Sequence, residues 1–172
     1  LMDDFLTINN LSAPWFSCEF FKDGQKHYGY VWAGFVALDS YYNPDTKERF
    51  LFGITKGVSN QDDFSAQLEV RVAKDGKQLA KVTSNFLMST EALIKLDLGG
   101  NCNIKGIKNV LTINLTEGRI GGLSTEKIIF WDGKQLHNVI ELQSSRNSPQ
   151  FRYHSIEFPS KDNGYKIVVN DK

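Results

Sequence analysis

Apolar and polar residues alternate with a period of two along much of the chain. Leu68, Val70 and Val72 are interleaved with Gln67, Glu69 and Arg71, and Leu111, Ile113 and Leu115 with Thr112, Asn114 and Thr116. Successive side chains of a strand point to opposite faces, so each run predicts a half-buried strand. By the same reading Tyr28, Tyr30 and Trp32 share a face, as do Phe50, Phe52 and Ile54, and Tyr165, Ile167 and Val169. A sustained 3.6-residue period is missing throughout. Two short segments are the helical candidates: Asp3 to Asn9, and Ser89 to Leu96 behind its Ser-Thr-Glu start.

Turn signals separate the strand-like runs. Asp23-Gly24, Asp75-Gly76, Asp132-Gly133 and Asn163-Gly164 are each flanked by strand-forming residues. Asp, Asn and Gly tolerate the positive φ angles of a tight type I′ turn, so each pair predicts a hairpin apex. About ten strands at this spacing imply an all-β, antiparallel domain rather than alternating βαβ units.

A pentapeptide occurs twice. Asp75-Gly76-Lys77-Gln78-Leu79 recurs as Asp132-Gly133-Lys134-Gln135-Leu136, 57 residues on. Leu38-Asp39 matches Leu96-Asp97 at 58 residues, and the segment from Phe50 to Gly57 matches that from Leu111 to Gly118 at 61. Each copy, 35–83 and 94–142, reads as a four-stranded antiparallel meander, with 15–32 and 151–170 as partial units. Ring-closed repeat folds often complete one sheet from both chain ends, which removes an exposed edge. Two architectures are therefore expected for a single β domain over 1–172: a small propeller-like ring or a β-sandwich.

At 172 residues the chain is long enough to bury about 70% of its unfolded surface, so it needs neither metal nor disulfide to fold. Twenty basic residues balance twenty acidic ones, and the lysines are scattered. The long-range attraction of a basic protein for nucleic acid is missing, so nucleic acid is not the expected partner. No apolar run reaches the ~20 residues of a membrane span, and no signal-peptide pattern is visible. Cys18 and Cys102 admit two readings. They are buried free thiols, or a disulfide in an oxidising compartment closing a loop of roughly 85 residues and worth ~4 kcal/mol.

The stretch from Leu38 to Phe52, with its acidic loop and following hairpin, resembles the blade of integrin-alpha-type and related bacterial propeller repeats. That resemblance implies a calcium loop between the first two strands, with Asp39, Asn43, Asp45 and Glu48 as ligands. Calcium takes six to eight oxygen ligands from flexible acidic loops. The chain departs from the pattern at the loop glycine, where Pro44 and Thr46 flank Asp45, and the second copy has only Asp97, Asn101 and Asn103. A solvated turn rich in Asn, Asp and Pro is the competing reading. No other cofactor is implied.

Candidate chemistry is sparse. His27, His137 and His154 are far apart and show no motif spacing. Gly121-Gly122-Leu123-Ser124-Thr125 lacks the second glycine of a nucleophile elbow, and the pairs Gly99-Gly100 and Gly121-Gly122 read as bends. Asp62-Asp63 reads as a polar loop tip. No catalytic residue is therefore predicted. Binding residues are easier to nominate. Tyr41 and Tyr42, read as part of a turn beside Asn43-Pro44, are candidate interface anchors, and Arg152 and His154 a candidate rim. The expectation is a non-catalytic β domain, periplasmic or secreted, that binds a partner protein as envelope lipoprotein domains and toxin-immunity proteins do. The alternatives are a calcium- or carbohydrate-binding module, and a hydrolase with an unrecognised site.

Overall fold

A computed structural model describes residues 5–59, 64–88, 92–117, 123–145, 154–160 and 166–171. Strands β1 (Phe5–Ile8), β2 (Leu11–Lys22) and β3 (Gln25–Trp32) form a sheet in chain order. A 3₁₀ turn, Ala33–Phe35, leads into a meander of β4 (Asp39–Asn43), β5 (Glu48–Ser59), β6 (Phe64–Lys74) and β7 (Lys77–Met88). A second meander follows: β8 (Ala92–Gly99), β9 (Asn109–Glu117), β10 (Leu123–Trp131) and β11 (Leu136–Ser145). Last come β12 (His154–Glu157) and β13 (Val168–Asp171), paired with each other. Every pairing is antiparallel.

The two meanders share one core. Phe50, Phe52, Leu68, Val70, Val72 and Phe86 from the first are clustered with Leu111, Ile113, Leu115, Ile129, Trp131 and Leu136 from the second. These are the alternating apolar positions of the sequence, each worth about 1.5–3 kcal/mol when fully buried. The opposite face of the second meander is buried too. Val110, Ile128 and Phe130 pack there against Ile104 and Ile107 of the loop after β8, and against Ile156 and Phe158 at the chain's end. The corresponding face of the first meander is covered only in part, by β1 and the 3₁₀ turn. That asymmetry leaves the cleft described below.

Both helical candidates are strands. Within Asp3 to Asn9 the described residues from Phe5 form β1, folded onto β2 by a turn with Asn9 and Asn10 at φ 53° and 59°. Asparagine tolerates this left-handed geometry, so a two-residue hairpin replaces a helix too short to stabilise itself. From Ala92 the second candidate is β8, since Leu96 and its neighbours alternate inward and outward along the edge of β9. Residues 89–91 lie outside the described residues, as do Asp62, Asp63, Gly121, Gly122 and the Asn163-Gly164 turn.

The sequence expectation of chain ends meeting in one sheet is not met among the described strands. β1 joins β2 and β3 at one place, and β12 and β13 form their own pair. The strands do not close into a barrel. No helix among the described residues is long and apolar enough to cross a membrane.

Candidate functional site

β1 pairs only with the first four residues of β2. From Trp15 to Lys22, β2 pairs among the described residues with β3 alone, giving a two-stranded ribbon closed by Asp23 and Gly24 at φ 52° and 76°. Its unbroken register assigns the faces. Ser17, Glu19, Phe21, Lys26, Tyr28 and Tyr30 share one, and Phe16, Cys18, Phe20, His27 and Val31 the other. The second face partly covers itself: Phe20 stacks on His27 at 5.5 Å, and its ring leans over Gly29, where a Cβ would lie 3.3 Å away. The first face is bare. Phe21, Tyr28 and Tyr30 are 71%, 74% and 72% exposed.

Charge is paired on that bare face. Lys26 Nζ lies 2.8 Å from a Glu19 carboxylate oxygen and 5.4 Å from the centre of the Tyr28 ring. The bond to Glu19, supported by one to Tyr28, raises the Lys26 pKa. At the root of the ribbon, buried Trp32 donates from Nε1 to the carbonyls of Leu6 (3.0 Å) and Ala13 (2.9 Å). Its indole occupies the space a Cβ at residue 34 would need, 2.3 Å from the nearest ring carbons, so glycine is required there. Trp32 thus fastens β3 to β1 and to the start of β2 while the outer half of the ribbon stands clear.

Beneath this root lies a cleft of about 570 Å³. Ile8, Trp32, Phe35 and Val36 form one wall; Leu51, Gly53 and Thr55 on β5 form the other. Two hydrogen bonds hold the walls together, Gly57 N to Asn9 O (3.1 Å) and Leu38 N to Phe52 O (2.7 Å). The lining also includes Glu69 and Arg71, two residues apart on β6 and so on the same outward face. Glu69 is buried; one oxygen accepts a hydrogen bond from Arg71 Nε and the other lies 3.4 Å from Lys81 Nζ. A buried carboxylate needs such partners to remain charged.

The sequence-nominated residues fall in several places. Asn43, Asp45 and Glu48 share the turn between β4 and β5, with Asn43 and Glu48 paired in register. Asp39 is at the far end of β4, opposite Phe52, roughly 13 Å away along an extended strand. Asn43 Oδ1 accepts the backbone N–H groups of Asp45 and Thr46, and Asp39 Oδ1 that of Ser40. Glu48 is buried and accepts from Thr46 Oγ1 (3.0 Å) and Trp131 Nε1 (3.2 Å). The described residues contain no group of three or more His, Cys, Asp and Glu side chains suited to a metal ion.

Tyr41 and Tyr42 lie in β4 rather than in a turn, opposite Phe50 and Arg49. As strand neighbours they face opposite ways, both half-exposed, with the Arg49 guanidinium 5.4 Å from the Tyr42 ring. His154 begins β12; its backbone N–H donates to Ser144 Oγ and its Nδ1 pairs with the Gln143 carbonyl. Arg152 lies outside the described residues. Cys18, on the ribbon, and Cys102, in the loop after β8, are half-buried free thiols, and burial pushes the Cys102 pKa up.

Reading by sequence missed the adjacent Phe20 and Phe21 and the Glu69–Arg71 pair. An Asp-Gly hairpin with aromatics on both faces was visible beforehand, but whether a further sheet would cover either face was not. No family model matches the chain, and no curated protein or solved structure matches it.

Proposed function

We propose that the protein is a non-catalytic, extracytoplasmic β-sandwich domain that binds a partner protein, with the bare face of the β2–β3 ribbon as its docking surface. The observation that carries this reading is the exposure of Phe21, Tyr28 and Tyr30 on one face. Three aromatic side chains of this size offer roughly 300–500 Å² of aromatic surface, as much as the largest apolar patch of a typical monomer. Tyrosines supply large rigid contacts at little entropic cost, and aromatic anchors dominate binding energy at protein interfaces. The Glu19–Lys26 pair among them supplies polar groups that select the orientation of a partner.

The test uses the full chain as bait against extracts of its source, beside two variants. One carries Phe21→Ser, Tyr28→Ser and Tyr30→Ser; the other carries Tyr41→Ala and Tyr42→Ala. The captured protein is then purified and its affinity measured by calorimetry. The expected result is a stoichiometric complex weakened at least 100-fold by the ribbon variant and less than 10-fold by the β4 variant. Undiminished binding by a folded ribbon variant would move the interface elsewhere, and the absence of any stoichiometric partner would overturn the reading.

A further inference from the structure

The cleft under the ribbon root joins apolar walls to an arginine held in place by a buried acid. Glu69 occupies Arg71 Nε, which leaves the two Nη groups of the guanidinium without an acceptor among the described residues. Lys81 contacts the second oxygen of the same carboxylate, so one buried negative charge stands against two positive ones. Net positive charge at the edge of an apolar cleft is complementary to an anion, and a planar guanidinium fork matches the two oxygens of a carboxylate. The walls of Ile8, Trp32, Phe35, Val36 and Leu51 suit an aliphatic or aromatic body. The volume, about 570 Å³, falls within the 300–1,000 Å³ usual for small-ligand sites. Next to the site β5 carries a bulge, with Thr55 left out of the β6 register between Ile54 and Lys56. Bulges recur beside binding sites, where they re-aim side chains.

We infer that this cleft binds an apolar carboxylate, with Arg71 receiving the carboxylate and Glu69 positioning Arg71. Two sources share that chemistry: a free alkyl or aryl carboxylic acid, and the C-terminal carboxylate of a peptide ending in an apolar residue. The site uses none of Phe21, Tyr28 and Tyr30, so its test is independent of the partner-binding proposal.

The experiment titrates decanoate and a short peptide ending in leucine into the full chain, each alongside its carboxamide. Heat of binding and the Trp32 indole N–H resonance are the two readouts. At least one acid is expected to bind and to shift the Trp32 resonance, with its amide at least tenfold weaker. Decanoate alone binding identifies a free acid; the peptide alone identifies a chain terminus. Arg71→Gln is expected to lower the affinity of the acid to that of the amide, and Arg71→Lys to retain part of it. Arg71 is half-exposed but donates to the buried Glu69 carboxylate, so affinities are compared only for variants whose melting temperature is unchanged. Gly53→Leu is the second variant. A Cβ there meets Ala37 and Val36 at ordinary contact distance, and a longer side chain occupies the cleft. It is expected to remove binding of every probe. Equal affinity for acid and amide, no binding by either acid at millimolar concentration, or full affinity in the Arg71→Gln protein would each overturn the assignment.

Discussion

Between β6 and β7, Asp75 and Gly76 alone make the turn, at φ 49° and 74°, and Lys74 pairs directly with Lys77. Between β10 and β11 the same five residues, Asp-Gly-Lys-Gln-Leu, behave differently. Trp131 pairs with Leu136, so four residues form the loop, and only Gly133 has a positive φ, 96°. The leucines part company as a result. Leu79 falls at a bulge, left out of register between Gln78 and Ala80, and is 46% exposed. Leu136 stands opposite Trp131 in the shared core and is 8% exposed.

Flanking residues explain the divergence. Asp75 follows Lys74 at an exposed tip, and Asp132 follows Trp131, which is fully buried and bonded to Glu48. The Trp131 carbonyl accepts from Lys108 N, outside the hairpin. Asp132 Oδ1 then accepts both the Lys134 and Gln135 N–H groups at 2.7 Å, and its Oδ2 meets His137 Nε2 at 2.8 Å. Five residues after Asp75 stands Ala80, which has no such group. Asp-Gly therefore specifies a turn, while tertiary anchoring on either side decides its length and hence which side chains reach the core.

Truncation separates the two hairpins most sharply at the residue before the aspartate. Trp131→Ala is expected to cost about 3–5 kcal/mol, from a large cavity and from a buried Glu48 left short of a donor. Lys74→Ala is expected to change stability by no more than about 0.5 kcal/mol. Urea unfolding of both variants checks this, and similar losses would mean that the two tips are equally anchored. The leucines give the next effect. Leu136→Ala is expected to cost about 2–4 kcal/mol, and Leu79→Ala less than about 0.5 kcal/mol. A substantial loss at Leu79 would place that side chain in the core, contrary to its exposure.

The glycines give a smaller contrast of the same kind. Gly76 has φ 74° and open space around it, so Gly76→Ala pays only for left-handed backbone, about 1 kcal/mol. Gly133 has φ 96°, farther from the region an L residue tolerates, and a Cβ there would lie 2.5 Å from Lys108 Cε. Gly133→Ala is expected to cost about 1 kcal/mol more than Gly76→Ala, from the backbone, because the exposed, flexible end of Lys108 can swing aside. Equal losses in urea unfolding would contradict the difference in φ.

Much of the fold was legible because it rests on a local signal. The period-two runs at Leu68–Val72 and Leu111–Leu115 depend only on which residues alternate, and both became core strands of four-stranded meanders. Asp23-Gly24 and Asp75-Gly76 gave the expected type I′ geometry for the same reason. What stayed illegible depends on the company each face keeps. Tyr28 and Tyr30 alternate as faithfully as Leu68 and Val70, yet no sheet among the described residues covers them. Tyr41 and Tyr42 read as a turn through their neighbour Pro44, but pairing with β5 draws them into a strand. Glu69 and Arg71 read alike as the wet side of β6, yet Glu69 is buried beside the cleft that Ile8 and the 3₁₀ turn help to line, and Arg71 stays half-exposed.

The smallest effect is in the acid limb and isolates the contact between His137 and Asp132, which the first hairpin lacks. The hydrogen bond from His137, together with those from the Gln135 and Lys134 backbone, holds the Asp132 pKa down to about 2. A carboxyl depressed in the folded state favours folding fully above its unfolded pKa, about 3.9, and loses that contribution as pH falls toward about 2. Asp132 is partly exposed, so the contribution is small and weakens with salt. Carbon-detected titration of the Asp132 carboxyl should therefore give a midpoint near 2 in the native chain. In His137→Ala, which copies the Ala80 position of the first hairpin, the midpoint should rise toward the ordinary aspartate range. It should stay below that range, because the two backbone donors remain. A midpoint unmoved by the substitution would assign the depression to those donors and leave His137 no part in distinguishing the two hairpins.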